Sequence, residues 1–473
     1  MKVLVLNPPY VEGFCRSARW AAKSRGRVQR HPDWLLIATA VLEEAGHKVK
    51  FVDGAALNMS KDKVLSDARE FKPELAVLHT TTPSIYNDVD YAKAIRQLTG
   101  ARTVLVGPHV TALPEDTLAI GAGGVDAIAR GEYDYTIRDM ADGKALDSIA
   151  GLTYWDGGKG INNPDRPPLD VKELPFPAWK HIKPEWYWDA GKKFPFLTLL
   201  SGRGCFGKCT FCRDTNLMYG RKVRLRDPMQ VVDEMEYDLN LFPQLKEIMF
   251  ETDTFTASRA HVEGVCEQIM KRNIKTSWSC NVRVDIDLKL LPIMKKAGCR
   301  MLMVGFEFGT QAALDAVKKG TTVEQSRAFA MEAHRHGFII HGCFMVGAPD
   351  ETEDSARATL AFARSLPLDT IQVSGICTYP GTDLYKWAKE KDFVVAKDWR
   401  EWVSKEYEQV TLLSYPQLPK ERIDQLIDEG LKSFYLRPTQ MLRMLLNIRS
   451  AADLKRKVYG LRAFVDYFGK KKA

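Results

Sequence analysis

Two stretches of the chain alternate short, nearly continuous apolar runs with longer segments whose apolar positions recur at helical spacing. In the first, Lys2–Asn7, Lys48–Asp53, Leu75–Thr80, Thr103–Gly107 and Ala127–Gly131 predict strands buried on both faces. Segments near Asp33–Gly46, Lys61–Phe71, Asn87–Thr99 and Pro114–Ala122 predict the helices between them. Five such units predict an α/β, doubly wound, Rossmann-like sheet over residues 1–150. Residues 151–190, dense in Gly, Pro, Asp and Trp, predict a small hairpin and an extended linker. A second βα series over residues 191–395 has candidate strands at Phe196–Gly202, Glu247–Glu251, Lys275–Val282, Met301–Glu307, Ile339–Val346 and Thr370–Cys377. Six βα units predict a (βα)6 partial TIM barrel, with function at the C-terminal strand ends. Residues 396–473 lose this rhythm and predict a helical C-terminal region, with a helix at Lys420–Ser433.

With 473 residues, 45% hydrophobic and 27% charged, the chain is not collagenous, mucin-like or disordered. No apolar run approaches the ~20 residues of a membrane span, and MKVLVLNPP lacks the pattern of a secretory signal. Nine cysteines, an odd number without scaffold spacing, predict a reducing, cytoplasmic setting. The net charge of +8 lies wholly in Phe434–Ala473, which holds ten Lys/Arg and two acids. A neutral body with a basic tail is not a general nucleic-acid binder. The stretch Thr439–Arg449 can set an apolar face beside a basic one. It reads either as a helix packed on the barrel with its basic face in water, which is favoured, or as a peripheral membrane contact on anionic lipid. Lys470–Lys472 reads as a frayed tail.

The loops after the first, third, fourth and fifth strands carry Pro9, Thr81, Thr82, Ser84, Gly107, His109, Gly131 and Glu132. Small and hydroxyl residues there let a ligand approach the backbone, although plain turn chemistry explains them equally well. No GxGxxG follows the first strand and no GxxxxGK[ST] occurs, which argues against a dinucleotide or P-loop site. After the first barrel strand comes Cys205-Phe206-Gly207-Lys208-Cys209-Thr210-Phe211-Cys212, a CxxxCxxC. Three thiolates within eight residues select zinc or an iron–sulfur cluster. Structural zinc wants a fourth ligand, which Cys15, Cys343 or His341 could give; a [4Fe–4S] cluster on three cysteines keeps one iron open.

That triplet after the first strand of a (βα)6 barrel, with an aromatic residue before its last cysteine, resembles the radical SAM enzymes. So do FETDTF, CNVR, GFE, GAPDET and YPGT at the later strand ends. The Rossmann-like domain ahead of the barrel is similar to the cobalamin-binding branch of that family. The resemblance implies that Cys205, Cys209 and Cys212 hold a [4Fe–4S] cluster, and that Phe211, Asp253, Arg283, Glu307 and Gly347 contact S-adenosylmethionine (SAM). It implies that Pro9, Thr81, Thr82, Ser84, Gly107, His109, Gly131 and Glu132 surround cobalamin. DxHxxG, which supplies a histidine ligand to cobalt in many cobalamin proteins, is absent, so His109 reads as a loop or pocket residue. Runs such as LAVLHTTTPSIYNDV and VGPHVTALPEDTL look like the hopanoid-biosynthesis-associated members, although Arg16–Arg30 departs from their pattern. The implied activity is SAM cleavage to a 5′-deoxyadenosyl radical that modifies an unactivated carbon of an isoprenoid or hopanoid-type lipid. The rival readings are a C-methyltransferase of a soluble secondary metabolite or tetrapyrrole, a ring-forming enzyme, and a metal-stabilised binding protein. A low-potential flavodoxin- or ferredoxin-type electron donor is implied as partner.

Overall fold

A computed structural model describes residues 1–448 and 450–470. Its first sheet contains β1 (Lys2–Asn7), β2 (Lys48–Asp53), β3 (Leu75–His79), β4 (Arg102–Val106), β5 (Ala127–Ala129), β6 (Leu152–Asp156) and β7 (Lys159–Asn162). The first five are parallel in the order 2-1-3-4-5, so the order reverses between β1 and β3. Alternate residues serve opposite faces. Val3, Val5, Val77 and Val104 pack with the helix Asp33–Glu44, whereas Leu4, Leu6, Leu78 and Leu105 pack with the helices Lys61–Phe71 and Ile85–Thr99. Being covered on both sides is why these strands read as unbroken apolar runs. The expected hairpin exists, but it is no part of a linker. β6 pairs antiparallel with β5 and β7 with β6, so the sheet runs on past residue 150.

The second sheet begins with β8 (Phe196–Leu199). A short antiparallel pair, β9 (Gly202–Arg203) and β10 (Arg224–Leu225), brackets the cysteine loop. Then come β11 (Glu247–Phe250), β12 (Ser277–Val282), β13 (Cys299–Glu307), β14 (Ile339–Val346) and β15 (Thr370–Gly375), parallel in the order 15-14-13-12-11-8. β8 and β15 do not pair, so this barrel is open on one side. The irregular segment 15–33 spans the gap. Arg25 donates to Val373 O on β15 at 3.0 Å, and the Asp33 carboxylate accepts from Thr198 on β8.

The C-terminal helices are Lys420–Tyr435, Pro438–Leu446 and Ala451–Lys470. The second corrects an expectation. It packs through Gln440 and Arg443, which donate to Asp369 O and Leu368 O, and it turns its leucines outward. Those carbonyls, on the turn entering β15, take the polar side of the helix. Of the expected tail, Lys471 and Lys472 lie outside the described residues. No described helix is long and apolar enough to cross a membrane.

Candidate active site

The cysteine loop leaves the C-terminal end of β8 through Gly204, whose φ is +90°. A Cβ there would lie 2.3 Å from Lys222 O, so only glycine fits between the loop and its return strand. Cys205 Sγ lies 3.1 Å from Thr254 Oγ1 and accepts from Gly207 N. Cys209 is buried, and Cys212 sits just before the π-helical turn Asp214–Met218. Burial raises the Cys209 thiol against the opposing pull of Lys319. Burial and Asp214 push Cys212 up to about 11 against Arg19. Among the described residues no three His, Cys, Asp or Glu side chains stand together as a preformed metal site. The loop's surroundings suit a cluster on three thiolates: three soft ligands on one loop, with Lys319, Arg283 and Arg19 nearby to offset negative charge.

The strand ends around this loop carry the other residues that the SAM resemblance named. Asp253, after β11, accepts from Gly204 N at 3.3 Å and faces Arg19 at 3.5 Å. Burial and neighbouring Asp214 push its pKa up to about 6. Arg283, after β12, grips Asp285 with two hydrogen bonds, donates to Lys319 O and covers the Phe206 ring. Glu307 ends β13 with φ +65°, an uncommon conformation for a side-chain-bearing residue, and accepts from Lys319 Nζ at 2.8 Å. Burial works against the Lys319 ammonium, but Glu307 and the Cys209 thiol outweigh it and raise its pKa. Gly347, after β14, donates to Glu351 and accepts from the Tyr415 hydroxyl. Phe211 packs against the barrel core.

On the opposite side, the hydroxyl groups of the first sheet's loops satisfy one another. Thr81 Oγ1 and Ser84 Oγ are 2.6 Å apart, Ser84 donates to Asp88, and Thr82 Oγ1 lies 3.2 Å from His109 Nδ1. His109 is buried against the edge of Trp399 and its Nε2 has no protein partner. Gly107 has φ +118°, and a Cβ there would come within 2.8 Å of Thr80 O. Pro9 lies against Gly54, Gly131 N donates to Thr111 Oγ1, and Glu132 is held by Arg224 through two 2.7 Å hydrogen bonds.

Between the two sets lies a cleft open to solvent. Of the sequence-predicted residues only Asp253 lines it; on the first-sheet side its wall is formed by the neighbouring residues His79 and Pro108. Residues that sequence reasoning passed over complete it: Arg16, Arg19, Arg213, Asp214, Trp34 and Tyr219. Arg16 is 2% exposed and fully engaged, donating to Asn7, Ser84, Asp88 and His79 O. Tyr219 OH and His79 Nδ1 are buried without a protein partner, so the cleft has polar groups left for a ligand to meet. This fits a corrinoid with polar side chains over β1 and β3, at the point where the strand order reverses.

The comparisons agree with this geometry. The Radical SAM superfamily model matches residues 199–363, and the B12 binding domain model matches residues 25–141. An uncharacterized methyltransferase of Pyrococcus horikoshii is 29% identical over 468 residues, covering 98% of each chain. The anaerobic magnesium-protoporphyrin IX monomethyl ester cyclase of Rubrivivax gelatinosus is 29% identical over 422 residues, covering 83% of this chain and 70% of that one. The methyltransferase TsrM of Kitasatospora setae, solved with cobalamin and a [4Fe–4S] cluster, shares the fold with a TM-score of 0.72, at 16% identity, over 98% and 99% of the two chains. The chain thus carries a radical SAM domain and a B12 binding domain. These relatives support an enzyme of methyltransferase or cyclising type, and the two matched domains are those of [4Fe–4S], SAM and cobalamin chemistry. The likeness to hopanoid-associated members gains no support from these relatives.

Proposed function

We propose that the chain is a cobalamin-dependent C-methyltransferase of a polar small molecule. The observation that carries the substrate class is the cleft wall. Arg19 and Arg213 reach it in ion pairs with Asp214 and Asp253, beside the edge-to-face rings of Trp34 and Tyr219. An apolar isoprenoid chain would take these charges out of water and give them nothing back, at several kcal/mol. A polar molecule that hydrogen-bonds to these paired groups meets the wall without stranding a charge. The end-to-end likeness to a protein described as a methyltransferase supports methyl transfer over cyclisation.

When bound, the cluster supplies one-electron cleavage of SAM and cobalamin supplies a methyl carrier. Cys205, Cys209 and Cys212 would hold the first, with Lys319 and Arg283 offsetting its charge. Asp253 would take the SAM amino group, helped by its position beside Gly204 N. Arg16 holds the crest of the first sheet rigid under the second cofactor. Segment 15–33 lies across the open side of the barrel and lines the cleft.

The test is anaerobic turnover of reconstituted protein with SAM, a strong reductant and fractionated polar metabolites. 5′-Deoxyadenosine and S-adenosylhomocysteine should form in similar, cobalamin-dependent amounts, and alanine at Cys205, Cys209 or Cys212 should abolish 5′-deoxyadenosine while the fold persists. 5′-Deoxyadenosine alone, with a cyclised product, would replace methyl transfer by ring closure.

A further inference from the structure

The helices Pro438–Leu446 and Ala451–Lys470 are held to the molecule by one side only. The first is pinned by Gln440 and Arg443 to the turn entering β15. On the second, Ala463 and Tyr467 are buried, Tyr467 hydrogen-bonds Asp428, and Arg25 lies over its ring. The opposite sides are apolar and open to water. Leu442, Leu445 and Leu446 are 56%, 64% and 71% exposed. Leu454, Val458, Leu461 and Val465 are exposed too, and their i, i+4, i+7, i+11 spacing confines them to an arc of about 60°. Lys455 and Arg462, also exposed, run along one flank of that stripe. Water-soluble surfaces scatter such residues singly; grouped exposed apolar residues on two consecutive helices mark a contact surface.

We propose that these two helices form a docking face for an anionic lipid bilayer. The charge selects this occupant. The segment from Phe434 onward carries +8 and the rest of the chain sums to zero. A second copy would set two such segments face to face, with no net negative surface on either to compensate. Acidic headgroups above a hydrocarbon layer meet the lysines and arginines and the leucines at once. Since no described helix can cross a bilayer, the helices would lie in the plane of the interface. The face is at the entry end of β15, whereas the cysteine loop leaves the C-terminal end of the parallel β8, so docking points the cleft away from the lipid. The proposal does not depend on what the cleft methylates.

The experiment is co-sedimentation of the full-length, cofactor-loaded protein with vesicles of phosphatidylcholine alone or mixed equally with phosphatidylglycerol. Binding to the acidic vesicles is expected to be at least about tenfold tighter, and to weaken as salt rises from about 0.1 M to 1 M. Leu445→Glu with Leu461→Glu should lower it about tenfold or more, as should Lys455→Glu with Arg462→Glu. Both pairs should leave the melting temperature and SAM cleavage unchanged, because the altered side chains stand in water. Absent binding, equal binding to the two vesicles, or binding unmoved by both pairs overturns the proposal. A dimer seen by light scattering and dissociated by the leucine pair also overturns it and gives the face to a second copy.

Discussion

Glu351 shows how burial and hydrogen bonding compete at one carboxyl. One oxygen accepts from Gly347 N and Ala348 N, while the other is buried without a partner. Burial wins and pushes the pKa from 4.5 up to about 7. The folded protein therefore holds this proton more tightly than the unfolded chain does. The resulting stabilisation is complete below about pH 4.5 and is lost as pH rises through about 7, an effect on the order of 3 kcal/mol. Glu351→Gln keeps an acceptor for the two N–H groups and removes the titration. Urea denaturation between about pH 5 and 8 should show the wild type losing stability relative to this variant as pH rises. A difference that stays constant across that range would refute the assignment. The sequence placed this residue in a strand-end loop, GAPDET, but said nothing of its burial, because burial depends on Tyr415 and the C-terminal helices that close over the loop.

At the scale of elements, the feature that matters most is the one with no periodicity. The segment 15–33 is neither helix nor strand for most of its length, so its hydrophobic pattern predicts nothing, and Arg16–Arg30 stood out only as a departure from a resemblance. In the fold it crosses from β15 to β8 and delivers Arg16 and Arg19 to the cleft and Arg30 to the barrel interior. The strands were legible because β-rich runs buried on both faces have few other ways to fold, and the cysteine triplet because its chemistry resides in its spacing. The loops over the first sheet were legible as loops, but not side chain by side chain: Ser84 and Glu132 accept from Arg16 and Arg224, which lie far off in sequence. The strap itself is testable through Arg30, which donates to Glu251 at 2.6 Å where both side chains are less than a fifth exposed. A double-mutant cycle of Arg30→Ala and Glu251→Ala should give a coupling of about 1–3 kcal/mol, well above that of an exposed pair. Coupling near zero would mean that the strap lies on the barrel without bracing it.

Across the whole molecule, the question is why two lobes with separate sheets should behave as one body. Apolar continuity is part of the reason: Leu197 of β8, with Met218 and Tyr219 beyond the cysteine loop, joins the same core as Val3 and Val104 of the first sheet. An ion cluster adds direction. Arg203 on β9, 2% exposed, donates to Asp134 at 2.7 Å and lies 3.6 Å from Glu132, which Arg224 on β10 also holds. Both arginines belong to the short strand pair that brackets the cysteine loop. The contact that joins the lobes thus also fixes where the cluster ligands sit relative to the B12 side. Arg203→Met should leave Asp134 without its bidentate partner in a buried setting and cost about 3–5 kcal/mol at the joint. The loss falls between the lobes and not within either core, so calorimetry should show the single transition of the wild type separating into two. Adding Asp134→Asn should remove the stranded charge and bring the transitions back toward one. A single transition merely shifted downward in the Arg203 variant would mean that the shared apolar core alone holds the lobes together.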